Sequence, residues 1–251
     1  MLLSKRPIGT ASFLGGLGFL YEDFAWSFMQ MIQYGTEFIC RPSQGEYIHL
    51  DRSMSSDRAG SRNILAARML GNWLFTSDAD HKFEPDLLAR MLALFNAPHP
   101  DTGERIDVLT GMYRYKSYPH LPVLYHFDKA TQHHQHIGDM DFTKPLIQVG
   151  CAGAGCLLVR RCVFDRIRAE LKEDPFAEVH PWSEDFSFFN RLRALDIKVY
   201  VAPQIRSDHL LIKPVTDDMF DRSVVEFIQL PQGGQVVAEQ TTADQPPDLG
   251  E

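Results

Sequence analysis

The sequence predicts an α/β fold, a mostly parallel central sheet flanked by helices, and three observations predict it. Short apolar runs alternate with stretches of helical period through the first hundred residues. The run "NWLFTS" (72–77) ends abruptly at Asp78-Ala79-Asp80, two carboxylates at what becomes the carboxyl end of a strand. Open parallel sheets bind ligands at such ends. The second half then supplies a strand running into a helix (155–171) and a helix running into a strand (182–203).

Each element has its own signal. "IGTASFL" (8–14) reads as the first strand, followed by a Gly-rich turn rather than by the long apolar core of a signal peptide. "EDFAWSFMQMIQY" (22–34) places Phe24, Phe28, Met31 and Ile32 at helical spacing. "EYIHLD" (46–51) is a second strand. Asp57 is positioned to cap "RAGSRNILAARML" (58–70), where Ile64, Leu65, Arg68 and Met69 form a mixed face. Pro85 suits the first turn of "PDLLARMLALF" (85–95). Further on, 107–115 and 121–127 have strand character, while 128–145 is polar, rich in His and Asp, and expected to be a long loop. Beyond Pro231 the chain is polar with Pro and Gly, which predicts a single domain over 1–230 and a disordered tail over 231–251.

Composition narrows the classes. The 251 residues are 44% apolar and 23% charged, an ordinary globular balance that needs no metal or disulfide for stability. A net charge of −8 argues against non-specific nucleic-acid binding, leaving Arg160–Arg161 as a local basic patch. No apolar run reaches transmembrane length. Cys40, Cys151, Cys156 and Cys162 lack a Cys-x-x-Cys spacing and read as small buried hydrophobes, which suits a cytoplasmic location.

The candidate chemistry lies in four places. Residues two apart in an extended segment point the same way, so Asp78 and Asp80 are expected to face one pocket and to share a divalent ion. Oxygen ligands suit Mg2+ or Mn2+. Gly150, Gly153 and Gly155 precede an apolar strand, where they let backbone approach a ligand and offer free amides. The run lacks the Lys-Ser/Thr ending of a P-loop. Ser183 is placed to cap the helix opened by Glu184 and Asp185, whose charges favour its dipole. His209 follows a later strand as a nitrogen ligand. His133, His134 and His136 offer a transition-metal idea, outweighed by the reading of a mobile acceptor loop.

Taken together, "FTSDAD", "GAGCLLVRRCVFDRI", "SEDFSFFNRLRAL" and "SDH", in this order over about residues 7–213, resemble a GT-A glycosyltransferase of the kind grouped with family 2. The resemblance implies a Rossmann-like nucleotide-diphospho-sugar transferase, of hexosyltransferase type, using a UDP- or GDP-sugar and Mn2+ or Mg2+. It implies that Asp80 ligates the metal and His209 completes the site. Asp78 would contact the donor ribose or a metal-bound water, and Arg62 would face the donor pocket beside Gly153 and Gly155. Asp185 would be the base towards an acceptor hydroxyl, with Glu184 its rival. An aspartate at a helix N-terminus is expected to have a low pKa, a weak base that stays ionised. Transfer would invert the anomeric carbon. The usual acidic residue after the first strand is not evident, and the acceptor region is reduced to 113–145 and the C-terminal part. A nucleotidyltransferase needs similar parts, but "GGLGF" carries no basic residue. A degenerate, non-catalytic sugar- or nucleotide-binding protein is the third reading. The acceptor is not legible, and a nucleic-acid base stays open.

Overall fold

A central strand buried on both faces favours apolar side chains, and the third strand is buried from Trp73 to Ser77, with apolar Trp73, Leu74 and Phe75 followed by buried Thr76 and Ser77. The computed structural model describes residues 4–15, 21–54, 57–131, 133–137 and 141–211. These form one unit ending at Leu211. The expected boundary at 230 and tail at 231–251 lie outside the described residues.

In chain order the elements are β1 (Arg6–Gly15), α1 (Glu22–Ile39), β2 (Glu46–Met54), α2 (Arg58–Arg68), β3 (Trp73–Asp78), β4 (His81–Phe83) and α3 (Leu87–Asn96). The second half contributes β5 (Val108–Met112), β6 (Leu124–Asp128), β7 (His133–His136), β8 (Ile147–Val149), β9 (Cys151–Ala152), β10 (Cys156–Arg160), α4 (Arg161–Arg166), α5 (Glu184–Ala194) and β11 (Val199–His209). The main sheet runs β2-β1-β3-β10-β5-β11-β4, with β8 also on β11. The β1–β2, β1–β3 and β5–β11 pairs are parallel. Strand β10 is antiparallel to both neighbours, β3 and β5. A small sheet, β7-β6-β9, stands apart.

Period-two alternation sorts the core into two layers. Phe75, Leu109, Leu158 and Tyr200 meet Phe24, Phe28 and Met31 of α1 and Leu88, Met91 and Phe95 of α3. Leu74, Val108, Leu157, Val159 and Val201 meet Ala66 of α2, Val163 and Phe164 of α4, and Phe188, Phe189 and Leu192 of α5. Helices α2 and α5 thus share a face, which decides where the site forms.

Several local expectations change. Asp57 caps α2 as expected, its Oδ1 accepting from Gly60 N at 3.0 Å. The hydroxyl of Ser183 makes no capping bond at α5. The helix expected from Pro85 starts at Leu87, after a turn at 85–86 in which Leu87 N donates to Glu84 O. The expected loop at 128–145 contains β7, where His133 faces away from His134 and His136, and among the described residues these three form no metal-ligand cluster. His134 Nε2 instead meets Asn190 Oδ1 at 2.9 Å, and His136 packs against Tyr125. The Arg160–Arg161 pair is no nucleic-acid patch. Arg160 donates to the carbonyls of Phe95 and Ile106, and Arg161 to those of Met69 and Gly71. The carbonyls of Phe95 and Met69 lie at the C-termini of α3 and α2, where a cation is favoured. Cys40, Cys151 and Cys156 are buried free thiols. Among the described residues, no helix is long and apolar enough to cross a membrane.

Candidate active site

The centre of the site is a cation with almost no solvent. Residues 74, 76 and 78 of β3 face the side covered by α2 and α5, so Asp78 emerges beneath both helices. Arg62, on α2, is 1% exposed and reaches Asp78 Oδ1 with Nη2 at 2.8 Å. Its Nε lies 3.5 Å from Asp185 Oδ1 and 3.7 Å from Glu184 Oε1, in the first turn of α5. Its Nη1 donates to Ala154 O at 3.2 Å. Burial opposes the charge on Arg62, but Asp78, Asp185 and Glu184 outweigh it and hold the guanidinium charged.

Asp185 pays for this position in acidity. Its Oδ2 accepts from Ala154 N at 3.1 Å, while Oδ1 is shielded and has no hydrogen bond. Burial is the largest influence and raises its pKa. Arg62 pulls it down, Glu184 and Asp78 push it up, and the result is about 6. The expected low-pKa aspartate is therefore corrected: desolvation beats the helix dipole. The side chain keeps 22% exposure, so it stays reachable.

The second cluster arises from strand pairing. In the antiparallel β4–β11 pair, His81 lies directly opposite His209, which places both rings on one face, stacked with centroids 4.8 Å apart. Asp80, in the turn between β3 and β4, points into the same space. His209 Nδ1 donates to Arg114 O at 2.9 Å, leaving Nε2 3.4 Å from Asp80 Oδ2. His81 is buried, its Nδ1 engaged with Ser207 Oγ at 2.9 Å. Burial lowers its pKa to about 4, so the ring is neutral at pH 7. Lys116 Nζ sits 2.6 Å from Asp80 Oδ2. Burial pushes Asp80 up, but His209 and Lys116 outweigh it and hold the carboxyl well below the usual range.

This donor set fits a divalent ion. His81 Nε2 and Asp80 Oδ1 are buried without hydrogen-bond partners, 4.0 Å apart. One ligand atom each from Asp80, His81 and His209 lies within 4.8 Å of the others. Buried polar atoms without partners are uncommon, and here three candidate ligands converge.

Tyr113 separates the clusters. Its buried ring meets His81 edge-on at 4.6 Å, and its Oη accepts from Gly155 N at 3.2 Å. The glycines of 153–155 are explained by this packing. A Cβ at Gly153 would collide with Tyr113 Oη, and one at Gly155 with His81 Nε2. Their amides are not free for a ligand: Gly153 N donates to Val123 O, and Gly155 N to Tyr113.

The structure thus brings Arg62, Asp78, Glu184 and Asp185 together, and separately Asp80 and His209. Asp78 pairs with Arg62, and Asp80 with Lys116 and His209, but the two clusters adjoin, since Asp78 also acts electrostatically on His81. Each carboxylate has its own cation. Arg62 stands behind Asp78 rather than facing an open pocket. Sequence reasoning missed His81, Lys116 and Tyr113. His81 adjoins Asp80 in "DADH", a signal that was present but unread.

No family model matches the chain, and no curated protein sequence matches it. Among solved structures it is similar to A197 from STIV, with 15% identity and a TM-score of 0.47, covering 81% of this chain and 95% of that one. It is also similar to GalNAc-T7 with UDP, GalNAc and Mn2+, at 13% identity and a TM-score of 0.53. That match covers 81% of this chain but spans only 43% of GalNAc-T7. At such identity the likeness shows the fold alone: this chain has the mixed α/β architecture, with a curled and largely parallel sheet, on which a GT-A glycosyltransferase is built.

Proposed function

We propose that the protein is a metal-dependent glycosyltransferase of family 2-like type. It moves a sugar from a UDP- or GDP-sugar to an acceptor hydroxyl with inversion. The observation that carries this reading is the pairing of two clusters about Tyr113. One is a three-ligand set with unpartnered buried atoms, and the other holds a carboxylate near pKa 6.

Asp80, His81 and His209 would hold the ion, and two imidazoles beside one carboxylate favour Mn2+ over Mg2+. When bound, the ion supplies positive charge for the leaving diphosphate. Asp78, fixed by Arg62, offers its remaining lone pairs to the donor. Asp185 takes the proton of the acceptor hydroxyl. A pKa near 6 leaves it mostly ionised at pH 7, yet more basic than an ordinary aspartate. Arg62 positions Asp78 by a hydrogen bond from Nη2 and attracts Asp185 electrostatically across 3.5 Å. Glu184, buried and also beside Arg62, shapes the charge felt by Asp185. A base across the pocket from the leaving group implies that an α-linked donor gives a β-linked product.

The test is ligand-induced stabilisation by UDP, GDP and their sugars, with and without Mn2+. Saturation at about 100 times the dissociation constant adds roughly 2.7 kcal/mol. The wild type should be stabilised only when Mn2+ is present, and Asp80→Asn should lose that response while remaining folded. Undiminished metal dependence in Asp80→Asn refutes the site. An α-linked product, seen by NMR of the anomeric proton, refutes Asp185 as base.

A further inference from the structure

The candidate metal cluster already contains a cation of its own. Lys116 Nζ lies 2.6 Å from Asp80 Oδ2, the same oxygen that His209 Nε2 approaches to 3.4 Å. Lys116 comes from the segment after β5, far from Asp80 in sequence, and its side chain is 34% exposed. Beside it opens a cavity of about 320 Å³ lined by Tyr113, Arg114, Lys116, His120, Arg206 and His209 among others. Arg114 and Arg206 donate to backbone carbonyls there, and among the described residues neither is paired with a carboxylate. The cavity is therefore electropositive and has room for an ammonium to move, although Asp208 also lines it.

A divalent ion on Asp80 would lie within a few ångströms of the ammonium in its present place. Like charges at that separation repel strongly in a partly buried site. Resting on the metal reading above, we propose that Lys116 is a resident counter-cation. It holds Asp80 before a metal arrives, is displaced by the metal, and then turns to the phosphates of the nucleotide. Its ammonium compensates Asp80 in one state and the diphosphate in the other. Metal and nucleotide then bind cooperatively. The ion alone must displace Lys116 with no new partner for it, whereas the nucleotide supplies one. Such a coupling is reciprocal by thermodynamic necessity.

The experiment measures Mn2+ binding directly, by the EPR signal of free Mn2+, in the full chain and in Lys116→Met, each with and without UDP. Lys116→Met should bind Mn2+ alone about tenfold more tightly or better, as expected when a competing charge is removed. UDP should tighten Mn2+ binding to the wild type and do so far less in the variant. Lys116→Arg, which keeps the charge, should behave like the wild type. Because Lys116 is partly exposed, the fold should tolerate both variants, checked by an unchanged melting profile without ligand. If the wild type binds Mn2+ and Lys116→Met binds it equally or more weakly, the counter-cation role is wrong while the metal site stands. If UDP affinity falls in Lys116→Met with Mn2+ affinity unchanged, Lys116 is a phosphate ligand only, and the proposal is again wrong. If neither protein binds Mn2+ under any condition, the metal reading itself fails and this proposal goes with it.

Discussion

Replacing Asp185 by asparagine should make the protein more stable at neutral pH while disabling it. Burial lifts the carboxyl from its ordinary 3.8 to about 6 despite the nearby Arg62. At about 1.4 kcal/mol per pH unit, that gap corresponds to roughly 3 kcal/mol. The sign follows from proton counting. Between 3.8 and 6 the folded state holds the proton and the unfolded state has lost it, so stability falls as pH rises through this window. Below it both states are protonated and the penalty vanishes; above it the penalty is complete. Asparagine has nearly the same shape, its amide oxygen can still accept from Ala154 N, and it never ionises. For a chain of this size, about 3 kcal/mol corresponds to a rise in Tm of roughly 6–12 °C. Calorimetry at pH 7.5 and pH 4 would test this, expecting a wide gap between variant and wild type at the first and a narrow one at the second. Turnover should drop by about 10²–10⁴-fold. A variant no more stable than the wild type at pH 7.5 refutes the claim that Asp185 is held charged against its own solvation. A gap that persists at pH 4 points to packing instead.

Three further changes probe the neighbours. Arg62→Met strips the cation from Asp78, Glu184 and Asp185, so it should cost about 3–5 kcal/mol and move the acid limb of the pH–rate profile from near 6 to a higher pH. A lower or unmoved limb contradicts the electrostatic role. Gly155→Ala pushes a Cβ into His81 Nε2 and should cost about 1–3 kcal/mol and weaken Mn2+ binding. Gly150→Ala, whose Cβ meets the backbone of Phe127, should destabilise without touching the metal response, and equal effects of the two would deny the special place of residue 155.

Much of the fold was legible because burial on both faces and helical spacing are written locally. The strands at 8–14, 46–51 and 72–77 and the helices after them were all placed by such signals. Asp80, His209 and Asp185 stood out as candidates by their residue types at strand and helix ends. What local signals could not supply was pairing. His81 stands against His209 only because the far half of β11 returns antiparallel to a three-residue strand. Lys116 reaches Asp80 across a gap in sequence that no periodicity spans. Arg62 was expected, from the resemblance, to face the donor pocket. Its burial depends on three carboxylates converging from β3 and α5. The glycines at 153 and 155 were read as room for a ligand. They are room for Tyr113 and His81.

The central position of β10 has a mechanical consequence. This strand is antiparallel between β3, which leads to Asp78, and β5, which leads to Tyr113 and Lys116. Hydrogen-bond ladders on both of its edges fasten the two halves of the chain together in the middle of the sheet. A clamshell opening between those halves would have to unzip one ladder. The stretch 113–123 that carries Lys116 lies outside those ladders but is closed by its own hydrogen bonds, Tyr115 N to Leu121 O and Val123 N to Tyr113 O. Because of the ladders on β10 the chain cannot be divided between α3 and β5 into two self-sufficient pieces. The first would keep β3 with an open edge, and the second would keep β10 without the neighbour that holds its other side.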